Sequence, residues 1–362
     1  MIHLYRLFLF LLCAGCTAFT QNAPAPQLQP RPAAPSAQPP GGTDRQITID
    51  VQVRDKSGTP VRGLQKQDFS ILDDKQARDI SAFQAVDNGT NNPDLRVEMI
   101  FVVDAVNTGT QAVAIERQEL KKFLLRNGGK LTVPVSLVFF TDTGTKMQNG
   151  FSRDGNALAT LYDQYETGLR SINRATGFYG ATERFDLSIK ALSSLTAYEA
   201  TRPGRKLIVW FSPGWPLLSG PNVQLSKKEA NFLFDSVVAF SGNLRKARVT
   251  LYSIDPLGMS DAGGFRTFYY KEFLKGVPSA NRVLPGNIGL PVLAAQSGGL
   301  VLNSTNDLEA AIENCASDAD SFYTLTFESP RADRVDEYHA ILVKVDKPDV
   351  TVRTRTGYYA QP

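Results

Sequence analysis

Hydrophobic residues follow two distinct patterns along this chain. Apolar and polar residues alternate from Ile47 to Val53, which predicts a strand that is buried on one face only. The middle of the chain instead carries unbroken apolar runs, which are typical of strands covered on both faces. The sequence therefore predicts one partly exposed sheet and one fully buried sheet. The buried runs lie at 99–103, 135–140, 207–211 and 249–254.

Apolar residues at helical spacing occupy the intervals between the buried runs. Ser226 and Glu229 form a capping-box pattern ahead of one stripe, and Gly128 is placed to end another helix. Strands that alternate with helices predict an α/β fold with a doubly wound, mostly parallel sheet. The stripes comprise Leu120, Phe123 and Leu124; Phe185, Ile189 and Leu192; Leu233, Val237, Phe240 and Leu244; and Leu308, Ala311, Ile312 and Cys315.

Strand-like patterns occupy both ends of the folded region. Segments 45–90 and 321–362 carry short apolar runs separated by turn residues, and neither is large enough to bury a core by itself. We therefore expect the two segments to pack together as a small β-rich subdomain. This subdomain would flank an α/β domain at 95–320.

The N-terminal region carries the features of an export signal. Arg6 precedes a short apolar run within residues 1–20, and this run is too short to span a bilayer. Cys16 follows Ala-Gly, as in a bacterial lipobox, so the sequence predicts either lipidation of Cys16 or ordinary cleavage and release. Residues 21–44 are rich in Pro, Ala and Gln and predict an extended linker. We expect an exported protein that is periplasmic, extracellular or an outer-membrane lipoprotein.

Composition restricts the chemistry that the folded region can perform. The net charge is +3, without the dense basic block that nucleic-acid binding requires. His339 is the one histidine beyond the export segment, which argues against a multi-histidine metal site and against Ser-His or Cys-His catalysis. Cys315 lies on an apolar helical stripe and is predicted to be a buried, inert thiol. The folded region contains no G-x-x-x-x-G-K-[ST] phosphate-binding loop, no H-E-x-x-H motif and no C-x-x-C pair. These observations predict a protein that is not an enzyme.

The run Ile100–Thr108, followed by a helical pattern, resembles the first strand and loop of a von Willebrand factor type A domain. The wider pattern resembles the acidobacterial VWFA-related subgroup of that family, over about residues 46–360. The blocks that carry the resemblance are 51–61, 63–69, 150–154, 297–300, 321–325 and 355–360.

The family resemblance implies a metal-ion-dependent adhesion site, which this chain retains only in part. The family binds Mg²⁺ with a D-x-S-x-S loop, a later threonine and a later aspartate, and oxygen ligands suit that cation. Asp104 and Thr108 keep two positions of the loop, and Thr182 is placed as the later threonine. Val106 replaces the first serine, and Pro213 replaces the final aspartate. The sequence therefore predicts no cofactor, or a weakly bound Mg²⁺ at a degenerate site.

Other residues near this end of the sheet admit two interpretations. Asp142 and Asp255 follow buried strands, so they would either join Asp104 on one rim or serve as turn residues. Asp104 would either bind metal weakly or accept backbone N–H groups as a structural cap. Asn107 and Trp215 are predicted to contact a partner, although Trp215 would alternatively pack over the edge of the core.

These features together predict a non-enzymatic, adhesion-like protein-binding module of the bacterial cell envelope. The loops 104–109, 180–183 and 212–220 would face an unknown protein or envelope ligand, and membrane contact would come only from a lipid anchor. Two alternatives remain at this point. One is a structural envelope component without a discrete site, and the other is a hydrolase built on the α/β core.

Overall fold

The computed structural model describes residues 29–30, 45–87, 95–166, 177–216, 225–258, 270–305 and 307–362. Cys16 and the predicted export signal lie outside the described residues, as does nearly all of the predicted linker. Within the described ranges, no helix combines the length and the apolar character that crossing a membrane requires.

The described residues form sixteen strands and six α-helices, joined in places by short 3-10 turns. The strands are β1 (Gln29–Pro30), β2 (Gln46–Asp55), β3 (Phe69–Asp73), β4 (Gln76–Arg78), β5 (Ile80–Asp87), β6 (Val97–Asp104), β7 (Lys130–Thr141), β8 (Gly144–Met147), β9 (Ser152–Asp154), β10 (Arg205–Phe211), β11 (Val249–Ile254), β12 (Val301–Leu302), β13 (Ser321–Glu328), β14 (Glu337–Val345), β15 (Val350–Arg353) and β16 (Gly357–Ala360). The helices are α1 (Thr110–Gly129), α2 (Gly155–Glu166), α3 (Gly177–Glu199), α4 (Lys227–Lys246), α5 (Leu290–Gln296) and α6 (Leu308–Ala316).

The central sheet has the strand order β1-β8-β7-β6-β10-β11-β12, and β9 pairs with β7. Strands β7, β6, β10, β11 and β12 pair in parallel, whereas β8 and β1 are antiparallel. Without β1 this is the 3-2-1-4-5-6 order of a doubly wound sheet, and the order reverses between β6 and β10. The predicted α/β fold class is therefore confirmed.

Both faces of the central sheet are covered, because its strands are apolar at successive positions. Phe101 packs with Leu120 of α1 and Ile312 of α6 on one face. Ile100, the preceding residue, packs with Leu192 of α3 and with α4 and α5 on the other face. This arrangement explains the unbroken apolar runs in the sequence.

Local sequence signals set several helix boundaries. The Ser226 hydroxyl accepts a hydrogen bond from the Glu229 amide at 3.3 Å, while the Glu229 carboxylate accepts one from the Ser226 amide at 2.8 Å. This confirms the capping box at the start of α4. Gly128 lies in the left-handed region with φ +67°, where the helical geometry of α1 ends. Cys315 is fully buried on α6, and burial raises its thiol pKa well above the ordinary value, as expected for an inert thiol.

The two ends of the folded region form a pair of four-stranded sheets, β15-β2-β13-β5 and β16-β14-β3-β4. Ile49 in β2 pairs with Leu325 in β13, and Ile71 in β3 pairs with Val343 in β14. Their apolar faces enclose a third core cluster. Each sheet needs strands from both ends, which confirms the predicted β-rich unit and explains why neither segment suffices alone.

Candidate functional site

The strand order reverses at the carboxyl ends of β6 and β10, where ligands bind in doubly wound folds. Strand β6 ends at Asp104, and α1 begins six residues later. Strand β10 ends at Phe211, and the described part of the following loop runs from Ser212 to Pro216. We refer to loops 104–109 and 212–216 together as the apex.

Each carboxylate oxygen of Asp104 accepts two hydrogen bonds from N–H groups of the protein. Its Oδ1 accepts the backbone N–H groups of Val106 at 2.9 Å and Asn107 at 2.8 Å. Its Oδ2 accepts Asn107 Nδ2–H at 2.8 Å and Trp210 Nε1–H at 3.0 Å. The side chain is fully buried, and this burial raises the pKa of Asp104 despite the opposing hydrogen bonds. This geometry is that of a structural cap.

The Mg²⁺ that the resemblance implies does not fit this apex. Hydrogen atoms of N–H groups point at both oxygens of Asp104, so a cation there would meet positive dipoles. Val106 is buried and apolar, and Pro213 offers no side-chain ligand. The Thr108 hydroxyl is buried without a described hydrogen-bond partner, but one neutral oxygen cannot replace the missing carboxylate of a divalent-cation site.

Helix α3 contacts the Asp104 loop through Ser188. The Ser188 hydroxyl accepts a hydrogen bond from Asn107 Nδ2 at 2.9 Å. Thr182 lies six residues earlier, which is about 9 Å along the helix axis. It is half-buried and lines a surface groove instead. Ser188 lies three residues after Phe185 and four before Leu192, so the apolar stripe of α3 contained the signal for its inward position.

Two residues that were predicted to contact a partner make their described contacts within the protein itself. The Asn107 side chain is half-buried and spans Asp104 and Ser188. Trp215 is only 5% exposed and packs edge-on against Trp210, with 5.5 Å between ring centroids. Trp215 is thus buried against Trp210, in the arrangement that packing over the edge of the core would give.

Asp142 and Asp255 behave as turn residues. Asp142 is exposed in the tight turn between β7 and β8. Asp255 is buried, and its Oδ1 accepts the backbone N–H of Leu257 at 3.0 Å. Among the described residues, these two and Asp104 do not form a group of three metal-ligand atoms within 4.8 Å. The proposed rim of three carboxylates is therefore not formed.

A second buried carboxyl group lies near Asp104 and was missed in the sequence. Glu116 in α1 is fully buried, and neither of its oxygens has a described hydrogen-bond partner. Burial, together with the charge of Asp104, raises the pKa of Glu116 well above its ordinary value. Glu116 falls between Ala112 and Leu120 on the buried face of α1, so helical spacing could have revealed it. Both carboxyl groups are sealed from solvent, and they cannot serve as the acid and base of a hydrolase.

A different acidic group lies in the β-rich unit. Asp73, Asp74 and His339 bring ligand atoms within 4.8 Å of one another, which makes them a possible metal-binding triad. His339 Nδ1 lies 2.8 Å from Asp73 Oδ1, the geometry of a hydrogen bond. Tyr358 donates to the other oxygen of Asp73 at 2.9 Å, and Arg78 Nε lies 3.4 Å from the same oxygen. Protein groups therefore already satisfy Asp73.

A groove of about 370 Å³ runs along the N-terminal half of α3. Because Ser188 contacts the apex, the eleven residues of α3 before it extend about 16 Å beyond that contact. Tyr179 stands on this projecting part and is 84% exposed. The groove is lined by Tyr179, Thr182, Glu183, Asp186, Leu187 and Lys190.

Comparisons with known proteins find similarity among solved structures only. No protein-family model matches the chain, and no curated protein matches it. Manganese-loaded TRAP protein of Plasmodium vivax is similar at 9% identity and a TM-score of 0.33, over 78% of this chain and 98% of that one. The pilus adhesin SpaC of Lactobacillus rhamnosus GG is similar at 10% identity and a TM-score of 0.33, over 84% of this chain and 48% of that one.

The SpRpn10 VWA domain is similar at 13% identity and a TM-score of 0.25, over 60% of this chain and 94% of that one. The chain thus spans about half of the pilus adhesin. At these TM-scores, the fold class rests on the chain's own strand order and helix placement.

Proposed function

We propose that this chain is a metal-independent, adhesion-like protein-binding module that presents the carboxyl edge of its central sheet to a partner. The observation that carries the proposal is the carboxylate of Asp104, which four N–H groups occupy completely. A partner therefore cannot bind by donating its own carboxylate to a metal ion at this position. Contact must come from the protein surface around the apex.

The groove on α3 is the best candidate for that surface. Helices of a doubly wound sheet run opposite to the strands, so the N-terminus of α3 lies on the same side as the carboxyl ends of β6 and β10. Tyr179 offers a large exposed ring, and tyrosine is enriched at protein interfaces. Glu183 and Asp186 add negative charge. These features favour a partner that presents an apolar or aromatic side chain flanked by basic groups.

The wider identity of the chain belongs to the same proposal. Membership of the von Willebrand factor type A family is supported by the Ile100–Thr108 run and by the 3-2-1-4-5-6 strand order. We place the boundaries of the α/β domain at residues 95 and 320. We further propose an exported, surface-located protein, held to a membrane by lipidated Cys16 or released after cleavage. The acidobacterial subgroup rests on the sequence blocks alone.

The test is chemical crosslinking of the purified full-length chain to cell-envelope extract, with and without EDTA. We expect one partner to be captured equally under both conditions. Capture should fall at least tenfold for Tyr179→Ala and for Glu183→Arg, and it should persist for Leu342→Ala, an exposed apolar residue on β14.

Capture that requires Mg²⁺ would overturn the metal-independent mechanism. Capture that none of the α3 variants changes would instead favour the alternative of a structural envelope component without a discrete site.

A further inference from the structure

A narrow cleft separates the β-rich unit from the α/β unit, and arginine side chains line it. Its principal lining residues are Asp50, Arg245, Arg248, Thr250, Ser297 and Arg355. They come from β2, from the end of α4, from the start of β11, from the turn after α5 and from the link between β15 and β16. The enclosed space is about 20 Å³, which is room for one water-sized atom.

Arg355 carries a buried charge that the described residues do not neutralise directly. The residue is only 7% exposed, and its one described hydrogen bond goes to the neutral carbonyl of Ser241, at 3.4 Å. Burial and the neighbouring charge of Arg245 lower the pKa of Arg355 to about 9. Buried charges in proteins are normally paired or bound to a counter-ion, so this environment is short of negative charge.

Asp50 is the acidic side chain among the described residues that line the cleft, and it already forms ion pairs with arginines other than Arg355. Its Oδ1 lies 2.6 Å from Arg248, and its Oδ2 lies 3.7 Å from Arg205. Arg205 is itself almost completely buried. Asp50 therefore faces Arg205, Arg248 and Arg355 together, and three arginines stand against this one carboxylate among the described residues that line the cleft.

We propose that this cleft binds a small inorganic anion, either chloride or one oxygen of a phosphate group, between Arg355, Arg245 of α4 and Arg248 of the turn that joins α4 to β11. The guanidinium group suits this role, because it is weakly hydrated and offers several N–H donors in one plane. The cleft admits a single atom, so the remainder of a phosphate would occupy its mouth. Thr250 adds a hydroxyl group whose oxygen already accepts from Arg205 at 3.2 Å, which leaves its proton free to donate to the anion.

The anion would hold the two units of the protein together. Arg355 belongs to the β-rich unit, whereas Arg245 and Arg248 belong to the α/β unit. Without the anion, the charges of Arg245 and Arg355 repel each other across the cleft. A bound anion reverses the sign of that interaction, and it should therefore raise the temperature at which the whole chain unfolds.

Thermal unfolding of the full-length chain tests this site. Sodium chloride or sodium phosphate is raised to about 10 mM, while a bulky organic sulfonate is lowered to keep the ionic strength constant. General salt effects on stability are small at this concentration. We expect the wild-type melting temperature to rise by several degrees and to saturate. The same titration should leave Arg355→Met unchanged, whereas Lys228→Met, an exposed lysine of α4, should respond as the wild type does.

The two titrations identify the source of the anion. A response to chloride at lower concentration indicates a halide site, and a stronger response to phosphate indicates an oxyanion site. Equal responses of the wild type and Arg355→Met would overturn the proposal, as would no response of the wild type to either salt. If Arg355→Met does not fold, Arg355→Lys replaces it. This variant should weaken binding about tenfold, as measured by ³⁵Cl line broadening or by phosphate titration calorimetry.

Discussion

The apex holds a fully buried carboxylate and the arginine cleft holds one that is 12% exposed, but the two regions balance this charge in opposite ways. At the apex, Asp104 meets four N–H groups that carry no net charge. In the cleft, Asp50 meets the guanidinium groups of Arg248 and Arg205 and influences Arg355. The Asp104 carboxylate is therefore satisfied without a ligand, whereas the one described side-chain hydrogen bond of Arg355 goes to a neutral carbonyl. This difference moves the expected ion-binding site away from the position that the family resemblance indicates.

The largest effect should come from removing the carboxylate of the cleft. Asp50→Asn leaves the buried guanidinium group of Arg205 and the half-buried one of Arg248 without this ion-pair partner, which should cost about 3–5 kcal/mol of unfolding free energy. Urea unfolding measures this cost, and Asp142→Asn in an exposed turn should change the free energy by less than about 0.5 kcal/mol. A similar small change for Asp50→Asn would show that the cleft does not depend on this charge.

The ion pairs of Asp50 also predict how the unfolding free energy changes with pH. Burial acts to raise the pKa of Asp50, but the charges of Arg248 and Arg205 outweigh it, so the net shift is downward from 3.8. The stabilisation from Asp50 is therefore present above its unfolded pKa, and it is lost as the pH falls through the lower folded pKa. The unfolding free energy of Asp50→Asn should therefore not show the decrease that the protonation of Asp50 causes in the wild type at low pH.

The next effect concerns the cap at the apex. Asp104→Ala leaves the N–H groups of Val106, Asn107 and Trp210 without an acceptor, and we expect a loss of about 3 kcal/mol. Asp307→Ala, which removes the N-cap acceptor of the Ala310 amide at the start of α6, should cost about 1 kcal/mol in the same urea experiment. Equal costs for the two variants would contradict the capping role of Asp104.

A smaller effect of opposite sign should follow from neutralising Glu116. The folded pKa of Glu116 is raised, so the unfolded chain ionises first as the pH rises above 4.5. The wild type therefore loses stability from that pH upward until the folded pKa is reached. Glu116→Gln should remove this loss and gain about 1–2 kcal/mol near neutral pH, since an amide is neutral in both states. Urea unfolding across this pH range, with exposed Glu183→Gln as control, measures the difference. Parallel pH profiles of wild type and Glu116→Gln would contradict it.

The fold was largely predictable from sequence because its signals are local. Alternation from Ile47 to Val53 and the run 99–103 each report the surroundings of one strand. The capping box at Ser226 likewise reports one helix terminus. The position of Asp104 was predictable because it follows a buried strand. The buried position of Glu116 could have been predicted from helical spacing.

The occupancy of these sites was not predictable, because it depends on distant residues. The Trp210 donor that completes the cap lies 106 residues from Asp104. The arginine cleft joins Asp50 to Arg248, 198 residues away, and to Arg355 near the other end of the chain. In the sequence each arginine is typical of an exposed residue, and only the pairing of the terminal strands brings them together.

Thermal unfolding in Mg²⁺ tests the central claim, a sealed and metal-independent apex, most directly. A site with a millimolar dissociation constant would stabilise the fold by about 1.4 kcal/mol at a tenfold excess of Mg²⁺. That gain would raise the melting temperature by a few degrees. We predict no difference between Mg²⁺ and EDTA for the wild type. A rise of this size in the wild type that disappears in Asp104→Ala would contradict the account.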